Sequence, residues 1–154
     1  DCKLSVEPGR YLVGEAGILV TRVIYIKQGE QKKFVIVDAA MNDLIRPTLY
    51  DGFHDIVPIS EETNTSPQSL TDLVGPICES GDYLAQDRML PDVSQNDLLA
   101  IKCAGAYGAT MASNYNSRPL IPEVFVRDNA FSVVRERQSF EEMIQKEKLA
   151  DWLL

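Results

Sequence analysis

Gly75-Pro76-Ile77-Cys78-Glu79-Ser80-Gly81-Asp82 sets a thiol beside a carboxylate. Pro76 stiffens the approach, and Gly81 permits a backbone turn that other residues resist. Such a turn can offer a proton and a negative charge to a charged small molecule, or it is a polar turn after a strand. Three other stretches carry residue types of the same kind. In Glu7-Pro8-Gly9-Arg10, Gly9 lets a backbone N–H approach an anion and Arg10 can grip a phosphate or carboxylate through two nitrogens. Glu7 can accept a hydrogen bond from a protonated ring nitrogen. The alternative is a strand-end turn with a surface ion pair. Arg46 and Tyr50 lie four apart and share a face if the chain is helical there, and Pro47 suits a helix start. They can bind a carboxylate and supply a hydroxyl, or form an arginine packed on a tyrosine. Tyr107, among Gly105, Ala106 and Gly108, is a phenol open to a ligand such as a phosphate, or one that fills a hole opposite small residues.

These stretches must be held by short elements. Leu4-Ser5-Val6 reads as the tail of a buried strand, ended by Glu7-Pro8-Gly9. Residues 10–16 fit a short helical turn. The β-branched run from Ile18 to Lys27 reads as a long strand, turned by residues 28–31 and returning over Lys33 to Asp38 as a hairpin. Residues 41–53 read as one or two helical turns interrupted by Pro47. Strands follow over His54–Ile59, Leu70–Cys78 and Asp97–Cys103, with an exposed loop at 60–69 and a short ambiguous segment at 83–90. Residues 104–117 have few large aliphatics and so bring backbone close to a ligand or another chain. A hairpin turns at Asp128-Asn129, and Ser139 with Glu142 forms a capping-box signature for a helix to about Ala150. The whole is a mainly β domain, an antiparallel sandwich or Greek-key, barrel-like sheet with a C-terminal helix.

The net charge of −8, with scattered basic residues, disfavours nucleic acid and anionic membranes. No apolar run approaches the roughly 20 residues of a membrane helix. Three cysteines without CxxC spacing argue against a disulfide framework or a metal site and fit a reducing cytoplasm. Cys103 is expected as an inert buried thiol within its strand, leaving Cys78 as the reactive one. His54, the single histidine, is expected to be structural. The opening strand and the missing initiator Met imply more chain upstream.

Glu7-Pro8-Gly9-Arg10, Asn42-Asp43-Leu44-Ile45-Arg46-Pro47-Thr48-Leu49-Tyr50, the Cys78-Glu79 turn, Ala104-Gly105-Ala106-Tyr107-Gly108 and Met111-Ala112-Ser113-Asn114-Tyr115-Asn116-Ser117-Arg118-Pro119 occur in order. Together they resemble the C-terminal part of the diaminopimelate decarboxylase family from Glu7 to about Arg127. The first of these motifs is shared with ornithine and arginine decarboxylases. The resemblance implies a fold-type III enzyme that uses pyridoxal 5'-phosphate (PLP). Such enzymes convert meso-2,6-diaminopimelate to L-lysine and CO2 in lysine biosynthesis. An N-terminal TIM barrel, absent here, carries the lysine to which PLP is attached, and neither Lys3 nor Lys27 sits in a matching context. Residues 1–9 would then be the last barrel strand with its loop, and 10–154 the β domain, inactive by itself.

By resemblance, Glu7, Pro8, Gly9, Arg10 and Tyr107 contact the cofactor. Arg10, Arg46, Tyr50, Glu79 and Tyr107 bind the substrate, and Cys78 is the proton donor. The distal end of diaminopimelate bears an ammonium and a carboxylate, which Glu79 and Arg46 match in charge. Ornithine has only the ammonium and would leave Arg46 unpaired. The family's Cys–Glu turn enters the other subunit's site, which implies a homodimer with shared sites. The alternatives are a related ornithine- or arginine-type decarboxylase, a non-catalytic dimerisation or binding domain, and, more distantly, a cysteine hydrolase using His54 and Cys78.

Overall fold

A computed structural model describes residues 2–153. The chain divides into two compact units, one ending at Ala112 and the other beginning at Ser113.

The first unit contains β1 (Leu19–Gln28), β2 (Lys33–Val37), α1 (Arg46–Tyr50), β3 (Ile56–Pro58), α2 (Glu61–Asn64), β4 (Gln68–Val74), β5 (Tyr83–Pro91) and β6 (Leu98–Ile101). The six strands make one sheet in the order β3-β6-β1-β2-β4-β5. Along β1, Leu19, Thr21 and Val23 point inward while Val20 and Arg22 point out, the period-2 alternation of a half-buried strand. A register shift between Val23 and Tyr25 lets the first half of β1 pair with β6 and the second half with β2. Such a bulge bends a strand, and bending is what curls a sheet toward closure. Val23, Val37, Leu44, Leu73 and Ile101 are fully enclosed in the core.

The sheet nearly closes. Arg88 of β5 donates to the His54 carbonyl at 3.2 Å, just ahead of β3, and its guanidinium lies 3.9 Å from the Phe53 ring centroid. One side chain thus bridges the two edge strands, where unpaired backbone would otherwise face solvent. On the hairpin side, Lys32 pairs with Asp72 at 2.7 Å and Asp87 at 2.8 Å.

Several expectations change. β2 and β4 pair in parallel, Lys33 with Thr71 through Ile36 with Val74, within an otherwise antiparallel sheet. Parallel neighbours need a long crossover, and residues 38–67 supply it. The ambiguous stretch at 83–90 is a strand of 9 residues. The loop at 60–69 holds α2, where the Ser60 hydroxyl accepts from the Thr63 N–H. The expected strand at Leu4-Ser5-Val6 is absent, with Leu4 92% and Val6 71% exposed and no neighbour to pair with among the described residues.

In the second unit, β7 (Glu123–Arg127) and β8 (Ala130–Arg135) form the anticipated hairpin. The capping box closes as expected: the Ser139 hydroxyl accepts from Glu142 N–H, and the Glu142 carboxylate accepts from Ser139 N–H. The helix it starts, α3 (Phe140–Ile144), is only 5 residues long rather than reaching Ala150. Phe140 and Ile144 stay exposed, so no packed apolar face sustains further turns.

Candidate active site

The strand registers collect the candidate residues. Leu19, which opens β1, pairs with Ile101, which ends β6, and Ile101 pairs with Ile56, which opens β3. Ile36, near the end of β2, pairs with Val74, which ends β4, and Val74 pairs with Tyr83, which opens β5. The segments before β1, after β2, before β3, between β4 and β5, and after β6 therefore all emerge at one end of the sheet. Those segments hold Glu7–Arg10, Arg46–Tyr50, Cys78–Glu79 and Tyr107. The opposite end carries the β1–β2 turn and residues 59–67 and 92–97.

Gly9 has φ +53°, and a side chain there would point at the Tyr107 hydroxyl. This left-handed backbone is what makes glycine the natural residue at position 9. Arg10 reaches across to the same loop, donating from Nη1 to the Ala106 carbonyl at 3.2 Å and from Nη2 to the Cys103 carbonyl at 2.6 Å. Both terminal nitrogens of Arg10 thus bind the chain's own backbone rather than standing free as a fork, leaving three of its five N–H donors. Tyr107 and Cys103 are both left-handed, at φ 59° and 58°. Such angles cost an L-residue roughly 1–2 kcal/mol each and persist only where the surroundings hold them. Gly105 packs so tightly that a methyl group would collide with the Val13 carbonyl, so the small-residue run meets this chain's own backbone. Cys103 lies beyond the end of β6, half-buried, because the strand's pairing stops at Ile101. It is not the enclosed strand thiol expected from its apolar neighbours.

Pro47 sits in the first turn of α1 and starts the helix rather than breaking it. Arg46 and Tyr50 share a face of α1, as the spacing predicts, with the guanidinium 5.7 Å from the ring centroid. Beside them lies His54, 2% exposed, whose Nδ1 is 2.9 Å from the Lys102 carbonyl. A carbonyl only accepts, so Nδ1 carries a proton. Burial lowers the pKa of His54; the bond to Lys102 opposes this, and the charges of Arg10 and Arg46 reinforce it. The folded imidazole therefore resists protonation more than the unfolded one does. Its stabilisation is complete above the unfolded value of about 6.5 and is lost as pH falls through the lower folded value. The unfolding free energies of the chain and of His54→Gln, measured by urea titration, should converge as pH drops from 7 toward 5. A constant gap would remove this titration from the account.

The 75–82 turn is stiff. Gly75 N–H donates to the Asp82 carbonyl at 2.9 Å, Asp82 N–H to the Glu79 carbonyl at 3.1 Å, and Gly81 N–H to Glu79 Oε1 at 3.2 Å. The Thr48 hydroxyl of α1 donates to the Gly81 carbonyl. Cys78 and Glu79 sit exposed at the tip. Two groupings result: Gly9 and Arg10 with Tyr107, and α1 with the Cys78 turn. Among the described residues no hydrogen bond links Cys78 to Arg10, Arg46 or Tyr107, and Glu7 and Pro8 lie exposed in the entering segment.

Residues 10–105 match the family described as "Pyridoxal-dependent decarboxylase, C-terminal sheet domain". This chain belongs to that family. It is 50% identical over 153 residues to a diaminopimelate decarboxylase of Zymomonas mobilis, covering 99% of this chain and 36% of that protein. A crystal structure of diaminopimelate decarboxylase from M. jannaschii superimposes with a TM-score of 0.87 at 36% identity, over 95% of this chain and 33% of that one. One from Helicobacter pylori, complexed with L-lysine, gives a TM-score of 0.81 at 45% identity, over 90% and 34%. The chain spans about a third of the length of the relatives it matches.

For a pyridoxal-dependent decarboxylase, the Gly9–Tyr107 grouping fits the cofactor. A phosphate suits an exposed backbone turn without a Cβ beside a phenol and the remaining N–H groups of an arginine. Among the described residues no cluster of His, Cys, Asp or Glu could hold a metal ion, and no helix is long and apolar enough to cross a membrane. Sequence reasoning missed two residues of this end of the sheet. His54 is buried and bonded to the Lys102 carbonyl, as a structural histidine is, but it also feels the charges of both Arg10 and Arg46, which its place in the sequence does not signal. Asp82 closes the motif, and its place between Gly81 and the start of β5 is the sequence signal for a turn-closing carboxylate.

Proposed function

We propose that this chain is the C-terminal domain of a diaminopimelate decarboxylase that releases CO2 from meso-2,6-diaminopimelate to leave L-lysine. The observation that carries the reading is the convergence of four separated stretches at one end of the sheet, in a chain whose relatives bear that name. In this reading residues 1–9 complete an N-terminal barrel domain, residues 10–154 form the sheet domain, and two subunits share their sites in the cytoplasm.

Bound PLP supplies an electron sink for the pair left when CO2 departs. The chain's own residues do the rest. Glu7 accepts a hydrogen bond at the cofactor's ring nitrogen and keeps that nitrogen protonated. Pro8 and Gly9 shape the turn at the phosphate, with Arg10 and Tyr107 donating there and toward the substrate. Arg46 and Tyr50 hold the substrate's distal carboxylate, and Glu79 holds its distal ammonium. Cys78 gives its thiol proton to the carbon that has lost CO2.

The test is CO2 release by the full-length protein with PLP, offered meso-diaminopimelate, ornithine and arginine separately. Release from diaminopimelate alone is the expected result. Release from ornithine or arginine instead would overturn the roles of Arg46 and Glu79, and none from any would leave a non-catalytic binding domain.

A further inference from the structure

Asp82 is only 5% exposed, although the turn it closes ends in an exposed tip. Its Oδ1 accepts from the Met41 N–H at 2.7 Å and its Oδ2 from the Ile77 N–H at 2.8 Å. A buried carboxylate is costly unless its oxygens are hydrogen-bonded, so these two bonds are what make it tolerable. Met41 lies in the segment leading to Arg46 and Tyr50, and Ile77 adjoins Cys78. Neither bond belongs to a strand pair. Gly75 serves the same carboxylate, because a methyl group there would overlap both oxygens. The Thr48 bond to Gly81 reinforces the same junction.

We propose that Asp82 is a positioning residue that locks the base of the Cys78–Glu79 turn to the 41–50 segment, so that the thiol and carboxylate at its tip are held at a fixed place when the turn enters a site. The catalytic consequence rests on the reading of those residues given above; the lock itself concerns this chain alone. An asparagine at this position has one acceptor oxygen, and its amide would face a backbone N–H, so one of the two ties must break. An alanine at position 75 leaves the carboxylate chemically intact and displaces it from both ties.

The experiment is amide hydrogen exchange by NMR on the chain and its Asp82→Asn and Gly75→Ala variants, followed by steady-state kinetics of the full-length enzyme. In Asp82→Asn, Met41 or Ile77 should exchange about tenfold faster, and in Gly75→Ala both should, while Val35 and Leu73 in the core strands keep their protection. In the enzyme, kcat should fall and KM for the substrate should rise together. A residue that merely stabilised the fold would lower the active fraction and leave KM alone. Unchanged exchange at both amides overturns the lock, and unchanged KM and kcat beside faster exchange overturn its role in positioning. If Asp82→Asn does not fold, Gly75→Ala carries both readouts. An enzyme without decarboxylase activity would sink the functional reading while leaving the exchange result to stand by itself.

Discussion

Replacing Cys78 with alanine should lower kcat of the full-length decarboxylase by about 10²–10⁴-fold, the usual worth of one general acid, with little change in KM. The thiol sits exposed at the tip of a turn held by its own backbone bonds and by Thr48. That placement suits a group that must enter a site and deliver a proton, and suits poorly a group that packs a core. Loss of the thiol leaves Glu79 and the turn in place, so substrate should still bind. Cys78→Ser should not restore the rate, because a hydroxyl is a far weaker acid than a thiol. CO2 release under saturating diaminopimelate is the measurement. Activity within a few-fold of the parent would mean that another group or a solvent molecule protonates the carbon.

The second large effect concerns selectivity. Arg46→Ala should cut kcat/KM for diaminopimelate by about 10²–10³-fold, because a desolvated substrate carboxylate would lose its cation. Ornithine has no distal carboxylate, so whatever trace of turnover it shows should fall far less or even rise. The Arg46 Nε is buried and takes no hydrogen-bond partner, and the guanidinium lies 5.7 Å from the Tyr50 ring centroid. A guanidinium so placed gains a cation–π attraction to the ring and can still offer its terminal nitrogens to a carboxylate. Equal losses on the two substrates would assign Arg46 to the fold rather than to recognition.

The sheet was largely legible in the sequence because alternation and β-branched runs are local signals. Ile18 to Lys27 announces β1, and Asp128-Asn129 announces the second hairpin. The capping box at Ser139 and Glu142 was equally local and formed as read. What failed were features that depend on distant partners. The strand at 83–90 is obscure in the sequence because Gln86, Asp87 and Arg88 interrupt its apolar pattern, and two of them reach distant turns: Asp87 pairs with Lys32 in the β1–β2 turn, and Arg88 reaches His54 ahead of β3. The helix after Ser139 stops at Ile144, short of the Ala150 that the sequence suggests, because a cap starts a helix but only packing prolongs it.

The sequence by itself determined the chemistry on offer: a thiol beside a carboxylate, an arginine four residues before a tyrosine, and a glycine–arginine turn, each set by local order along the chain. The tertiary structure decided what those groups face. Arg10 spends its two terminal nitrogens on the carbonyls of Cys103 and Ala106, and Asp82 ties Met41 to Ile77. Apart from the Asp82–Ile77 bond these contacts span tens of residues, so no local periodicity encodes them. They exist because the parallel β2–β4 pair and the bent β1 bring distant loops out at the same end of one sheet.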